Sequence, residues 1–417
     1  MKTKLPFVNI LLGSFFIVST AQGQNDQFAY AVTDLKKDSS GWNSLRKLDL
    51  QTGLYSDVFV KGSKIKPLVY DYATKKQLEV KSDPVHENYA QALFGNGVAA
   101  IAYDKNSDRL YYTPMFINEL RYIDFGSMKV FYVTDKPFTS NGVLGCDQGK
   151  IITRMALGPD GYGYAISNDA TTFIRFTTGK ETIITELGSL VDDAGNEANS
   201  IHDINTSYGG DIVADDLGNL YLISASSHVF KIHIRTKVAR HLGKVTGLPE
   251  NYSTNGMVVD EKGQLFVCSA RSSEAVFTIN PQNWRATKFK PANGFFSSSD
   301  LANGNILSSQ VNIVTELPTI QISNETRLYP NPVRNNVFTI QFGKINSGDY
   351  TISLTDQMGR QVHQRKVSIN SEYPSVSIDL PASANGVLLV RLIDQKGKAV
   401  ISKKLLVLGY QPFQTRF

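Results

Sequence analysis

Apolar residues between positions 100 and 300 fall in short runs, and in the later run of each group they alternate with polar ones. Phe230, Ile232 and Ile234 alternate with Lys231, His233 and Arg235. A period of two places successive side chains on opposite faces of a strand. The pattern recurs in "IAYDKNSDRLYYTPMFINELRYIDF" from Ile101, "MALGPDGYGYAISNDATTFIRFTT" from Met155, "IVADDLGNLYLISASSHVFKIHIRT" from Ile212 and "MVVDEKGQLFVCSARSSEAVFTINP" from Met257. Each unit reads strand, tight turn, aromatic-bearing strand, polar turn, third strand. Gly161, Gly218 and Gly263 stand at equivalent turns, 57 and 45 residues apart. A hairpin needs positive φ there, which glycine adopts without steric cost.

A repeat of that length suits four strands per unit, and such a sheet cannot bury both faces alone. Radial stacking buries them, so the expected fold class is all-β. The expected architecture is a β-propeller followed by a small immunoglobulin-like sandwich. A pair of sandwiches is the competing architecture, and the recurrent Asp–Gly–Leu–aromatic frame argues against it. Six blades are favoured, with five or seven open. "FAYAVTD" and "SLRKLDLQTG" look like second and third strands lacking a first. "SSSDLANGNILSSQ", around Asp300, looks like the first two strands of another blade. The ring is therefore expected to close by combining both chain ends in one blade. Residues 61–95 fit the repeat poorly and read as a degenerate blade portion or a long loop.

Composition narrows the function. Charged residues make up 19% and hydrophobic residues 41% of 417, a globular composition with charge below the usual quarter or so. The net charge of +5 is uneven: residues 325–417 hold 12 Lys and Arg against 6 Asp and Glu, while residues 24–324 hold 29 against 32. The slightly acidic larger part argues against a nucleic-acid partner. The start, "MKTKLPFVNILLGSFFIVSTAQGQ", has lysines, an apolar run and small residues before Gln24, the form of a signal peptide over 1–23. No other stretch is apolar enough to predict a membrane span in the mature chain. Cys146 and Cys268 are the only cysteines, and structural roles are expected for both.

The chain changes character after about residue 315. Residues 24–315 are assigned to the propeller, 316–325 to a linker and 326–417 to the final domain. That domain opens "RLYPNPVRNNVFTIQF" and continues through "TISLTDQMGRQV" to "NGVLLVRLIDQKGKAVISKKLLVL". It resembles the type A C-terminal sorting domain of the type IX (Por) secretion system of Bacteroidota. The residues that carry the resemblance are Tyr329, Pro330, Asn331 and Pro332, with Asp356, Gly359 and Gly386 in the later turns. The family usually has Gly-x-Tyr where this chain has Gly386-Val387-Leu388, and this chain runs on into "GYQPFQTRF". The resemblance implies passage through the periplasm, recognition by the type IX machinery and its sortase, and release or attachment to surface lipopolysaccharide. Secretion to the cell surface follows as the expected localisation.

Function then rests with the propeller. The sequence holds no G-x-S-x-G, H-E-x-x-H, C-x-x-C or phosphate-binding glycine loop. "DKNSD", Asp104 to Asp108, imitates the start of a calcium loop but lacks its later ligands and reads as a hairpin turn. "VDDAGNE", Val191 to Glu197, reads as a solvated acidic loop, with calcium binding as the lesser alternative. His202, next to Asp203, is expected at the surface. Arg154, Asp211, Asn255 and Asp300 stand at or near the starts of successive innermost strands, where a propeller brings chain-distant residues to its channel mouth. They could hydrate the channel, hold Ca2+ through carboxylate and amide oxygens, or bind an anion through Arg154. Three functions follow. One is a binding module for a glycan, peptide or protein. The second is a metal-dependent hydrolase or lactonase, on a faint likeness of the channel pattern to gluconolactonase-like propellers. The third is a structural or adhesive surface protein.

Overall fold

The computed structural model describes residues 25–408, apart from 38, 62–67, 79–91, 141–146, 291–293, 310–324, 330, 334–336, 370–374 and 382. Cys146, Pro330, the linker, the amino-terminal segment and the extreme carboxyl terminus therefore lie outside the described residues. Among those described, no helix is long and apolar enough to cross a membrane.

Five sheets form the blades of a propeller. Blade 1 runs outward from an inner strand, Ser298–Ala302, through Phe28–Thr33 and Ser44–Asp49 to Val60–Lys61. It thus joins the two ends of the repeat region, as expected. Blade 2 has its inner strand at Val98–Asp104, blade 3 at Ile152–Leu157, blade 4 at Asp211–Ala214 and blade 5 at Gly256–Val259. These inner strands neighbour one another in a closed ring. The blade number is five, one below the favoured six and within the range the repeats left open. Part of the stretch that fitted the repeat poorly becomes an extra outer strand: Val69–Asp71 pairs parallel with Lys129–Val133 in blade 2. Blade 4 carries a similar parallel addition, Val191–Asp192 on Val238–Lys244.

Period-two alternation becomes packing between blades. In the second strand of blade 4, Leu220 and Leu222 join a core with Tyr164 and Phe173 of blade 3. Tyr221 and Ile223, on the other face, join Val267 and Phe277 of blade 5. All four blade-4 residues are fully buried, so each blade contributes to two cores and none is stable alone. Cys268 lies in the core shared by blades 5 and 1. Burial pushes its thiol far above the ordinary range, which fits the structural role expected of it.

One expected strand is absent. After Ala302 the chain does not return as a second blade strand but crosses the far end of the ring. Asn303 and Asn305 each donate to the carbonyl of Val259. Leu307, 1% exposed, bridges in parallel to Asp215 beyond the end of the blade-4 inner strand. Strand pairing was unavailable because Phe28–Thr33 already occupies the adjacent edge of Ser298–Ala302.

The final domain is a two-sheet sandwich. Arg327–Tyr329, Val337–Gln341 and Ser375–Asp379 form one sheet; Gln361–Ile369, Gly348–Thr355, Gly386–Ile393 and Ala399–Val407 form the other. Phe338, Ile340, Ile352, Leu354 and Val390 fill the space between them. Leu388, at the position where the resemblance leads one to expect tyrosine, is 1% exposed and belongs to this core. An aliphatic side chain satisfies that position.

Candidate functional site at the propeller axis and mouth

The four residues singled out at inner-strand starts do lie there, but only two of them meet. Asp211 begins the blade-4 inner strand and Asp300 lies within that of blade 1. Blade 5 separates these strands in the ring. Both residues are completely buried, and their carboxyl groups are hydrogen-bonded to each other. Each also accepts main-chain donors. Asp211 accepts from Ile212 N at 2.7 Å and, across the blade boundary, from Met257 N at 2.7 Å. Asp300 accepts from Leu301 N at 2.8 Å and from Ile101 N of blade 2 at 2.5 Å. The pair therefore stitches blade 4 to blade 5, blade 1 to blade 2, and blade 4 to blade 1.

A contact between two carboxyl groups needs a proton between them. Burial pushes Asp211 up to about 7, against the hydrogen bonds it accepts. Burial and the neighbouring Asp211 charge push Asp300 well above the usual carboxylate range. This is the arrangement of one acid and one carboxylate sharing a proton, with the acid best placed on Asp300.

Arg154, 0% exposed, does different work. Its guanidinium donates to the carbonyls of Ser167 at 3.1 Å, Asn168 at 3.3 Å, Gly209 at 3.0 Å and Ser207. It ties blade 3 to the loop that leads into blade 4. Burial lowers it to about 10, still charged at neutral pH. That loop ends in Gly209 and Gly210 at φ +66° and +81°; a Cβ on Gly210 would lie 1.9 Å from the carbonyl oxygen of Ile223. Asn255 turns away from the aspartates: its side-chain oxygen accepts from Ala270 N at 2.9 Å and Ser253 Oγ at 3.1 Å. Gly256, which follows, lets the inner strands of blades 5 and 1 approach, since a Cβ there would meet Leu301 N at 2.7 Å and Cys268 Sγ at 2.8 Å.

The four residues therefore do not assemble one ligand set: Asp211 and Asp300 bind each other and the backbone, and Arg154 and Asn255 serve separate loops. Among the described residues no group of three or more His, Cys, Asp or Glu side chains is placed to hold a metal ion. Asp104 to Asp108 forms the hairpin turn expected, with Asp104 accepting from Asn106 N at 3.0 Å and Ser107 Oγ at 2.6 Å.

Open space lies beside the axis. A cleft of about 370 Å³ is lined by Ser39, Trp42, Ala270, Arg271, Glu274 and Ser297, among others. These residues belong to the loop after Phe28–Thr33, the loop after Leu265–Cys268 and the residue preceding Ser298. Both loops and Ser297 lie at the end of the ring where inner strands begin, between blades 5 and 1. The Trp42 indole nitrogen is buried with no hydrogen-bond partner among the described residues. Sequence reasoning missed this cleft because its residues sit in loops of no repeating pattern; a tryptophan in a serine-bearing loop was the available signal.

Two sequence expectations near blade 4 are corrected. Val191 to Glu197 is only in part a solvated acidic loop: Glu197 is exposed, but Asp192 is 6% exposed and accepts from Asn196 Nδ2, Ser200 Oγ and Ile201 N at 2.9, 2.6 and 2.8 Å. His202 is not a surface residue either, being 4% exposed. The residues of the final domain serve its turns and edges. Asn331 pairs with the backbone of Lys404 and Leu406, and Pro332 is exposed. Asp356 accepts from Met358 N and Arg360 N, both at 2.9 Å. Gly359 and Gly386 both have φ +80°.

The described residues form an all-β protein made of a five-bladed propeller and a two-sheet sandwich. Residues 327–408 match the family described as "Secretion system C-terminal sorting domain". The protein is accordingly sent to the cell surface or the extracellular space by the type IX route, whose machinery its sorting domain engages. No relative among the curated proteins matches the sequence. Solved structures similar to the chain include PorZ, a surface component of the type IX secretion system of Porphyromonas gingivalis, at 15% identity and TM-score 0.32 over 91% of this chain and 51% of that one. The extracellular domain of a putative one-component system from B. thetaiotaomicron is similar at 10% identity and TM-score 0.32, over 90% and 49%. A streptogramin B lyase is similar at 10% identity and TM-score 0.35, over 66% and 91%. The chain spans about half the length of the first two. At these scores the likenesses carry no argument, and the propeller assignment rests on the sheets described above.

Proposed function

We propose that the propeller is a non-catalytic binding module displayed outside the cell, and that it takes a short glycan in the cleft between blades 5 and 1. The observation that supports this is the division of labour at the mouth. The charged axial residues are engaged with one another and with main-chain groups, while the cleft beside them is open and lined by an indole, serine hydroxyls, Arg271 and Glu274. An aromatic ring with neighbouring polar groups suits a sugar, which presents apolar C–H faces and a rim of hydroxyls. The hydrolase reading would need a set of free oxygen ligands in the channel, and the two axial aspartates are committed elsewhere.

Screening the secreted protein on a glycan array, with calorimetry on any hit, tests the proposal. Arg271 is exposed, so Arg271→Ala should weaken binding without touching the fold, and Trp42→Ala should remove it. A peptide ligand that displaces no glycan would replace the proposed ligand class. Turnover of a lactone panel, abolished by EDTA, would overturn the non-catalytic reading in favour of the metal-dependent hydrolase.

A further inference from the structure

The two corrected expectations near blade 4 fall where the propeller meets the sorting domain. The Asp192 carboxylate gathers Asn196, Ser200 and Ile201 into an ordered loop, and that loop presents His202. The ring is held from behind, its Nδ1 lying 2.8 Å from the carbonyl oxygen of Asp169. A carbonyl only accepts, so Nδ1 carries the hydrogen and the orientation is set. On the opposite side the ring stacks on Tyr329 of the sorting domain, with centroids 4.3 Å apart and planes at 23°. A second contact joins the same elements: Gln341 Nε2 donates to the main-chain oxygen of Asp192 at 2.8 Å in a buried setting. Gln341 is 7% exposed and Thr326 is 8% exposed. Desolvation of the Tyr329 phenol pushes it far above its ordinary range, as a ring closed off from water requires.

We infer that the folded propeller docks its own sorting domain, through the His202–Tyr329 stack and the Gln341–Asp192 hydrogen bond, so that the first strand of the sorting domain is presented against the cargo and not on a free tether. Among the described residues Arg327–Tyr329 pairs only with Val337–Gln341 and is the edge of its sheet, the kind of strand that otherwise offers unpaired groups to other chains. Tyr329 also begins the Tyr-Pro-Asn-Pro run. Docking depends on a finished blade 4, because Asp192 and His202 reach their positions through main-chain partners in blade 3 and in the outer strand of blade 4. The state of the cargo is thereby linked to the exposure of the sorting domain's leading strand. This inference stands independently of the cleft and its ligand.

The test is hydrogen exchange on the full secreted-length chain, read on both sides of the contact. Gln341→Ala, a change in the sorting domain, should speed exchange in propeller residues 191–202. His202→Ala, a change in the propeller, should speed exchange at 327–329. A lost aromatic stack or hydrogen bond corresponds to roughly a three- to tenfold increase. Tyr329→Phe keeps the ring and should behave as the parent, whereas Tyr329→Ala should match His202→Ala. Protection of Gly386–Ile393 and Ala399–Val407 is expected to stay unchanged in every variant, which separates undocking from unfolding of the sandwich. If neither substitution is felt across the contact while both domains remain protected, the docking inference is overturned. Fast exchange at 327–329 in the parent itself would overturn it equally.

Discussion

Replacing Asp211 by asparagine is the sharpest probe of the propeller axis. In the parent, Asp211 and Asp300 share a proton in a fully buried site and accept four main-chain hydrogen bonds between them. Burial raises Asp211 from 3.8 to about 7. A carboxyl whose folded value lies above its unfolded one binds more protons when folded. The stability contributed by Asp211 is therefore fully present below about pH 4 and is lost as pH rises to about 7. For this one group the slope reaches at most about 1.4 kcal/mol per pH unit and the total about 4 kcal/mol; Asp300, also raised, adds a loss of the same sign as pH rises. The Coulomb repulsion of two charges at 4 Å, about 1–4 kcal/mol depending on effective dielectric, is of the same order. Asp211→Asn removes one of the two titrating groups while its amide can donate to Asp300 and its oxygen can still accept from Met257 N. The expected outcome is a flatter curve over that window, with the variant as stable as the parent or more so at pH 8. At pH 5 it should be about 1–2 kcal/mol less stable, the cost of an imperfectly replaced hydrogen bond. Asp211→Ala leaves the Met257 N–H without its acceptor and should cost about 1–3 kcal/mol at every pH. Urea denaturation of parent and variants from pH 5 to 8.5 measures all of this. Parallel parent and Asn curves would refute the raised titration of Asp211. Calorimetry with calcium, magnesium and EDTA adds a second arm: a calcium-dependent rise in melting temperature, lost in Asp211→Asn, would put a cation in place of the proton.

Further outcomes can be checked directly. Gly210→Ala, which would bring a Cβ to 1.9 Å from a carbonyl oxygen at φ +81°, should destabilise by more than about 3 kcal/mol in denaturant titration. Gly161→Ala, with φ +78° but nothing within 4 Å, should cost only about 1 kcal/mol. Division of the chain after Thr315 should leave a β-rich propeller that melts cooperatively, because the ring is closed by residues before that point. Residues 316–417 fused to a periplasmic reporter should carry it out of a cell that has the type IX machinery; retention in the periplasm would contradict the sorting assignment.

Much of this protein is legible in local pattern. Alternation such as Phe230–Lys231–Ile232 reports which residues face a neighbouring blade, since side chains on a strand change face at every step whatever surrounds them. Spacing of turn glycines reports the repeat, and incomplete units at both ends report how the ring closes. The sorting segment shows itself by its turns, Asp356 to Gly359 among them. The starts of inner strands identified Arg154, Asp211, Asn255 and Asp300 as residues of the channel end. The partners of these side chains were beyond such reasoning. Asp211 meets Asp300, 89 positions away, only because five inner strands close a ring of a particular size; a sixth would separate them. Asn255 turns to Ala270 because the loop after blade 5's second strand folds back over it. Asp192 and His202 have the polarity of exposed residues; Asp192 is enclosed by its own loop through Asn196, Ser200 and Ile201, and the His202 ring is stacked on Tyr329 from more than a hundred residues downstream. A strand's faces follow from bond geometry within a few residues; burial, proton sharing and docking follow from which distant surfaces come together.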